Sequence, residues 1–89
     1  MPYIVSERRK QLHFTGALNT YVPTTAGELN YVITKMVLRY LARYATDSYS
    51  NFNEAVGVLE CVKQEFYRRA VVPYEDAKII VNGDVPGYA

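Results

Sequence analysis

The chain is predicted to be all-α, and three observations carry that prediction. Apolar residues recur at i, i+3, i+4 and i+7 along two long segments, the pattern of one buried helical stripe. No segment sustains the two-residue alternation of a half-buried strand. Turn-forming clusters divide the sequence at Pro23-Thr24-Thr25, at Thr46-Asp47-Ser48-Tyr49-Ser50-Asn51 and at Val72-Pro73, and Asn82-Gly83-Asp84 closes the ordered part. The expected architecture is an antiparallel pair of long amphipathic helices, about 26–44 and 52–71, with short flanking helices. They form a single helical domain over 1–89, with a less regular N-terminal segment at 1–23 and a flexible tail at 85–89.

Taken in chain order, Ser6 caps a basic helical turn over 6–13, and Thr15 caps another over 15–22, although Gly16, Asn19 and Thr20 are poor helix formers. The next segment starts at Thr25-Ala-Gly-Glu28, which fits a capping box: Thr accepts from the third backbone N–H and Glu reaches back to the cap. Leu29, Val32, Ile33, Met36, Val37, Tyr40, Leu41 and Tyr44 then form its apolar stripe. The second long helix opens at Asn51-Phe-Asn-Glu54, with Asp47 or Ser50 as alternative caps. Ala55, Val58, Leu59, Val62, Phe66 and Ala70 line its apolar face. Pro73 is expected to end this helix, because the residue before a proline is pushed out of the helical region. Pro73 then starts a third, short helix with Glu75 and Asp76 in its first turn and Ala77, Ile80 and Val81 on its apolar side.

Composition removes several classes of function. Ten basic residues against nine acidic ones give a net charge of +1, too little unbalanced charge for a protein that coats duplex DNA. One Cys allows no intramolecular disulfide and no Cys-rich zinc site, and one His allows no His-cluster metal site. No apolar run approaches the roughly 20 residues of a membrane span. The N-terminal residues MPYIVSERRKQ place charge where a secretory signal needs an apolar stretch, so a cytoplasmic location is expected. No P-loop, nucleophile elbow or dinucleotide fingerprint is present. His13 and Cys61 are single residues with no sequence partner. No catalytic residue, metal ligand or cofactor is predicted.

The residues left for a site lie mainly on the second long helix. Opposite its apolar stripe stand Asn53, Gly57, Glu60, Cys61, Gln64, Tyr67 and Arg68. Gly57 and Cys61 are small and one turn apart, so this face has a low saddle ringed by hydrogen-bonding groups. It reads either as a wall for a small polar ligand or as a helix–helix crossing. Arg68 and Arg69 beside Tyr67 have the chemistry to clamp a phosphate and stack on a base. Equally, arginines in a last helical turn answer the helix dipole, and Glu65–Arg69 is a good i, i+4 ion pair. The candidate ligand-binding set is Asn53, Glu60, Gln64, Tyr67, Arg68 and Arg69. A second feature is the basic track Lys35, Arg39 and Arg43, with Tyr31 one turn before it and no acid on the stripe. It is either a path for phosphates or a solvated face. Arg8-Arg9-Lys10 adds a short basic cluster whose three charges release too few counterions for tight nucleic-acid binding. Nine tyrosines are a surplus; Tyr40 and Tyr44 fall in the core stripe, and Tyr31 and Tyr67 are placed to read a ligand.

Five motifs occur in order: Glu28-Leu-Asn-Tyr-Val-Ile-Thr34, Asn53-Glu54 with Gly57-Val-Leu-Glu-Cys-Val-Lys63, Glu65-Phe-Tyr-Arg-Arg69, Pro73-Tyr-Glu-Asp76 and Asn82-Gly-Asp84. Over roughly 26–85 the chain resembles, through these motifs, a family of small uncharacterised proteins found in phage genomes and environmental bacterial sequences. The resemblance implies a phage setting and a host-cytoplasmic location, and it carries over no functional residue. The expected function is that of a small non-catalytic binding protein, a homo-oligomer that sequesters an anionic, nucleotide-derived ligand such as a host defence signal. The alternative is a protein–protein interaction module that inhibits a host protein or assembles with itself. Metal-dependent nucleotide hydrolysis by Glu28, Glu54, Glu60, Glu65, Glu75 and Asp76 is a minor reading, because neither long helix carries a carboxylate pair at ExxE or ExxD spacing.

Overall fold

A computed structural model describes residues 4–14, 16 and 21–88 of the chain. All regular structure among these residues is helical. The chain divides into two units, Met1–Phe52 and Asn53–Ala89.

In the first unit, α1 spans Ser6–Phe14. Ser6 is its first helical residue rather than its cap, since the Val5 carbonyl takes the first bonds, from the N–H groups of Arg8 and Arg9 at 3.1 Å each. Gly16, at φ +76°, closes the helix end by donating to the His13 carbonyl at 3.1 Å. A left-handed φ favours a residue without Cβ. The helical turn expected over 15–22 lies largely outside the described residues, and Gly16, Tyr21 and Val22 are not helical.

Helix α2 spans Ala26–Leu41. Thr25 is extended (φ −134°, ψ 162°) and its Oγ1 accepts from the Glu28 N–H at 3.1 Å, as expected of the cap. The reach-back differs by one residue. Glu28 Oε1 accepts from the N–H and the Oγ1 of Thr24, each at 3.0 Å, and from the Tyr21 hydroxyl. The helix ends at Leu41, three residues short of the expected Tyr44. The last turn tightens, with Arg43 N–H bonding the Tyr40 carbonyl at 3.4 Å and Tyr44 N–H bonding the Leu41 carbonyl at 3.1 Å. The Arg43 guanidinium lies 4.6 Å from the Tyr40 ring centre and 5.4 Å from that of Tyr44, and the two rings meet edge to face at 6.1 Å. These contacts hold Arg43 and Tyr44 in a closing turn instead of a further helical one.

Helix α3 spans Tyr49–Phe66. Its cap is Ser48, not Asn51, Asp47 or Ser50. Ser48 Oγ accepts from the Asn51 N–H at 3.1 Å, and its carbonyl accepts from the Phe52 N–H at 3.1 Å. Any of several polar residues in 46–51 could cap, and only the one whose oxygen reaches the third N–H does so.

The largest departure from expectation is at Pro73. Val72-Pro73 does not break the chain. Residues 67–71 form a π-helical turn, and α4 follows directly over Val72–Asn82, so one helical run of 34 residues covers 49–82. Pro73 has no N–H and its ring crowds the carbonyl four residues earlier. The π turn relieves this by winding in one extra residue, and the Val72 N–H bonds the Tyr67 carbonyl, five residues back. Gly83, at φ +83°, ends the run and donates to the Ile79 carbonyl at 2.8 Å. Residues 86–88 form a turn, with the Tyr88 N–H on the Val85 carbonyl at 3.0 Å.

Burial is slight. Among the described residues Ala55 alone is buried, at 7% exposure. Val32, Val37, Tyr40, Leu41 and Tyr44 of the expected first stripe are half-buried, while Leu29, Ile33 and Met36 are exposed. In the second stripe Val58, Leu59, Val62 and Phe66 are all exposed, Phe66 at 65%.

Candidate functional site

The six candidate ligand-binding residues all lie on the helical run of the second unit. Their spacing along it matters. Asn53 and Arg69 are separated by roughly 24 Å of helix at about 1.5 Å per residue. A small ligand therefore meets a subset, and the compact subset is Glu60, Gln64, Tyr67 and Arg68. Within it, Glu60 Oε1 accepts from Gln64 Nε2 at 3.1 Å and lies 3.4 Å from Lys63 Nζ. The Gln64 hydrogen bond, then the Lys63 charge, hold the Glu60 carboxyl below its ordinary range. Glu60 is thus an ionised acceptor already served by its own helix.

Tyr67 is engaged too. Its hydroxyl donates to Glu75 Oε1 at 2.8 Å, and that bond, together with the negative charge of Glu75, raises the phenol above its ordinary range. The two residues are i, i+8. In an uninterrupted α-helix, positions i and i+7 share a face, and i+8 is displaced by about 80°. They meet here because the π turn inserts one residue between them. Arg68 sits inside that turn and has no ion-pair or hydrogen-bond partner among the described residues. The saddle itself is open: a Cβ placed on Gly57 would meet nothing within 4 Å, and Cys61 is an exposed free thiol.

On α2, Lys35 and Arg39 are exposed and one turn apart. Arg43 does not continue their line as a free cation. It lies beyond the helix end, over the rings of Tyr40 and Tyr44, with Nη2 3.3 Å from the Tyr44 hydroxyl. The N-terminal basic cluster forms local pairs, Lys10 with Glu7 at 3.7 Å and Arg8 with Gln11 at 3.0 Å.

By residue type Glu28 is a cap and a spare carboxylate; its surroundings are only partly legible in the sequence. Tyr21, Gly27, Glu28, Tyr31 and Val32 line a hollow of about 450 Å³ in the first unit. Glu28 is held below the ordinary carboxyl range first by the Tyr21 hydroxyl and then by Thr24, and the same bond raises Tyr21. The signal was present in Thr24-Thr25-x-x-Glu28, whose two hydroxyls fix the carboxylate. What brings Tyr21 onto it is the path of a loop, which has no periodicity to read.

Among the described residues no three His, Cys, Asp or Glu side chains are grouped to hold a metal ion, and no helix is long and apolar enough to cross a membrane. Neither a curated protein nor a solved structure matches the chain. A family model does match, over residues 1–85, and so takes in the N-terminal quarter that the five motifs leave uncovered. The chain belongs to that family, described as Domain of unknown function (DUF6899).

Proposed function

We propose that this protein is a helical interaction module that completes its fold against a second helical surface, in the simplest case another copy of itself. The observation that carries the proposal is the exposed apolar series Val58, Leu59, Val62 and Phe66 on a 34-residue helical run, where Ala55 alone is buried among the described residues. Most helical stability in proteins comes from packing an amphipathic face rather than from intrinsic propensity. A face of this kind, left in water, forgoes that stabilisation. Each of these side chains gains on the order of 1 kcal/mol when its exposed half is covered. The antiparallel pairing expected of the two long segments belongs to this reading, with the partner helix supplied by a second copy of the chain. A host protein with a complementary helix is the other source of such a surface, within the phage setting and host-cytoplasmic location that the family resemblance implies. Sedimentation equilibrium of the purified chain tests the proposal. A mass that is a multiple of 10.2 kDa is expected. A mass of 10.2 kDa at every concentration, with no partner retained from host lysate, overturns it.

A second reading is favoured by Arg68. A guanidinium inside a π turn, with no acid answering it among the described residues, suits an anionic group, and π turns recur at functional sites. Gln64 and Tyr67 flank it. On this reading the module sequesters a nucleotide-derived anion and performs no chemistry on it. Calorimetry against a nucleotide panel tests this, with an at least tenfold loss expected for Arg68→Ala. Uniform absence of heat across the panel removes the reading and leaves the first intact.

A further inference from the structure

The hollow at the start of α2 combines three kinds of surface. Tyr21 and Tyr31, 54% and 65% exposed, offer aromatic faces, Val32 offers an apolar one, and Glu28 offers a carboxylate. At about 450 Å³ the space falls within the range of small-molecule pockets, roughly 300–1,000 Å³.

The carboxylate is fixed and ionised. All three of its donors, the Tyr21 hydroxyl and the N–H and Oγ1 of Thr24, fall on Oε1. Among the described residues Oε2 has no hydrogen-bond partner and Glu28 has no ion-pair partner. The full negative charge of Glu28 outweighs the roughly half positive charge of the helix terminus beneath it. The hollow therefore disfavours anions. Tyr21 adds to this polarity, because a phenol that donates to a carboxylate becomes richer in electrons, and aromatic faces attract cations through their quadrupole.

Gly27 fits the same picture. A Cβ there would meet only Thr25 Oγ1, at 3.9 Å, an ordinary contact. Packing does not demand glycine, and glycine weakens a helix relative to alanine. Gly27 lines the hollow, and a residue without a side chain there takes up none of its space.

We propose that the hollow walled by Tyr21, Glu28, Tyr31 and Val32 binds an organic cation, an alkylammonium or guanidinium head group set against the two rings with its charge toward Glu28 Oε2. The head group belongs either to a free small amine or to a basic side chain of a polypeptide. The site lies within the first unit and does not depend on the self-assembly proposed above.

The test is a titration of the purified full chain followed by amide NMR. The probes are choline, its neutral isostere 3,3-dimethylbutan-1-ol, and N-acetyl-arginine methylamide. Choline or the capped arginine is expected to shift the amides of Tyr31 and Val32 saturably, at least tenfold more tightly than the neutral alcohol. Tighter binding of choline identifies a free amine, and tighter binding of the capped arginine identifies a side chain. Gly27→Leu, which strengthens the helix while filling the hollow, is expected to abolish the shifts, and Tyr31→Ala to weaken them about tenfold. Equal binding of the neutral alcohol, an unaffected Gly27→Leu variant, or no saturable shift with either cation at about 10 mM overturns the proposal.

Discussion

Phe66→Ala separates a helix that works alone from one that needs a covering surface. In the single chain the Phe66 side chain is 65% exposed, so only about a third of it is out of water. Full burial of a phenylalanine is worth about 1.5–3 kcal/mol, so the lone chain loses about 1 kcal/mol or less. In a packed helix–helix contact the same truncation removes a filled position and leaves a cavity, at about 3–5 kcal/mol. A two-fold contact contains two such rings, and the loss per dimer is then on the order of 6 kcal/mol. Micromolar association corresponds to about 8 kcal/mol, so this loss dissociates the dimer at any ordinary concentration. The assay is urea denaturation at two protein concentrations, together with sedimentation. The wild-type midpoint is expected to rise with concentration, as it does for any species stabilised by mass action. Phe66→Ala is expected to sediment as a single chain and to lose helical signal. Ile80, 85% exposed and off the stripe by helical phase, supplies the control, and Ile80→Ala is expected to leave mass and midpoint unchanged. A wild-type midpoint independent of concentration, shifted by no more than about 1 kcal/mol in Phe66→Ala, refutes the reasoning.

Two further outcomes follow from local chemistry. The Tyr21–Glu28 hydrogen bond has a pH window. Glu28 lies below its ordinary 4.5, so its contribution is complete above that value and is lost as pH falls through the lowered one. Tyr21 lies above its ordinary 10.0, so its contribution is complete below that value and is lost as pH rises through the raised one. Thermal melts of wild type and Tyr21→Phe are expected to differ between these limits and to converge outside them. A difference that does not change with pH refutes the assignment. Pro73→Ala restores the missing N–H and is expected to return residues 67–71 to α-helix, recovering up to about 3 kcal/mol of helix stability. Tyr67 then loses Glu75, and its phenol, followed by ultraviolet titration against Tyr67→Phe, is expected to fall back toward the ordinary range.

The fold class was legible because periodicity is a global signal. Eight apolar residues at helical spacing across 29–44 leave no strand alternative, and Thr25 caps α2 where the residue types place it. Boundaries were less legible, because they depend on competition among similar groups. Ser48 prevailed over three other polar residues as the cap of α3, and the closing turn after Leu41 depends on where the Arg43 guanidinium lies. Pro73 opens α4 as its residue type predicts, but the break expected before it is absent for a different reason. The rule that proline ends a helix assumes the α register, and the chain keeps its helix by changing register for one turn. The residues of the candidate site were visible as types, but their bonds were not. Glu75 as the partner of Tyr67 could not be found from α-helical spacing, since i+8 is the wrong face until a residue is inserted.

That inserted residue also bears on the proposed interface. Counted at about 100° per residue, Ala55, Leu59, Val62 and Phe66 stay within about 60° of one another. If the α register continued, Ile80 would join them, while Tyr74 and Val81 would lie about 100° away. Winding one extra residue into 67–71 turns everything after it back by about 100°. Tyr74 and Val81 then come onto the line of Val62 and Phe66, Ala77 comes to its edge, and Ile80 leaves it. The charged residues sort in the same way, because Glu75 moves to the Tyr67 side, where its hydrogen bond is found. A proline that ended the helix would cut the stripe at Phe66, after about three turns. A proline absorbed by a π turn lets one apolar line extend from Ala55 to Val81, nearly 40 Å at about 1.5 Å per residue. The π turn thus has two consequences from a single cause: it sets Arg68 in a widened turn, and it joins two short apolar stripes into one long enough to hold a partner helix.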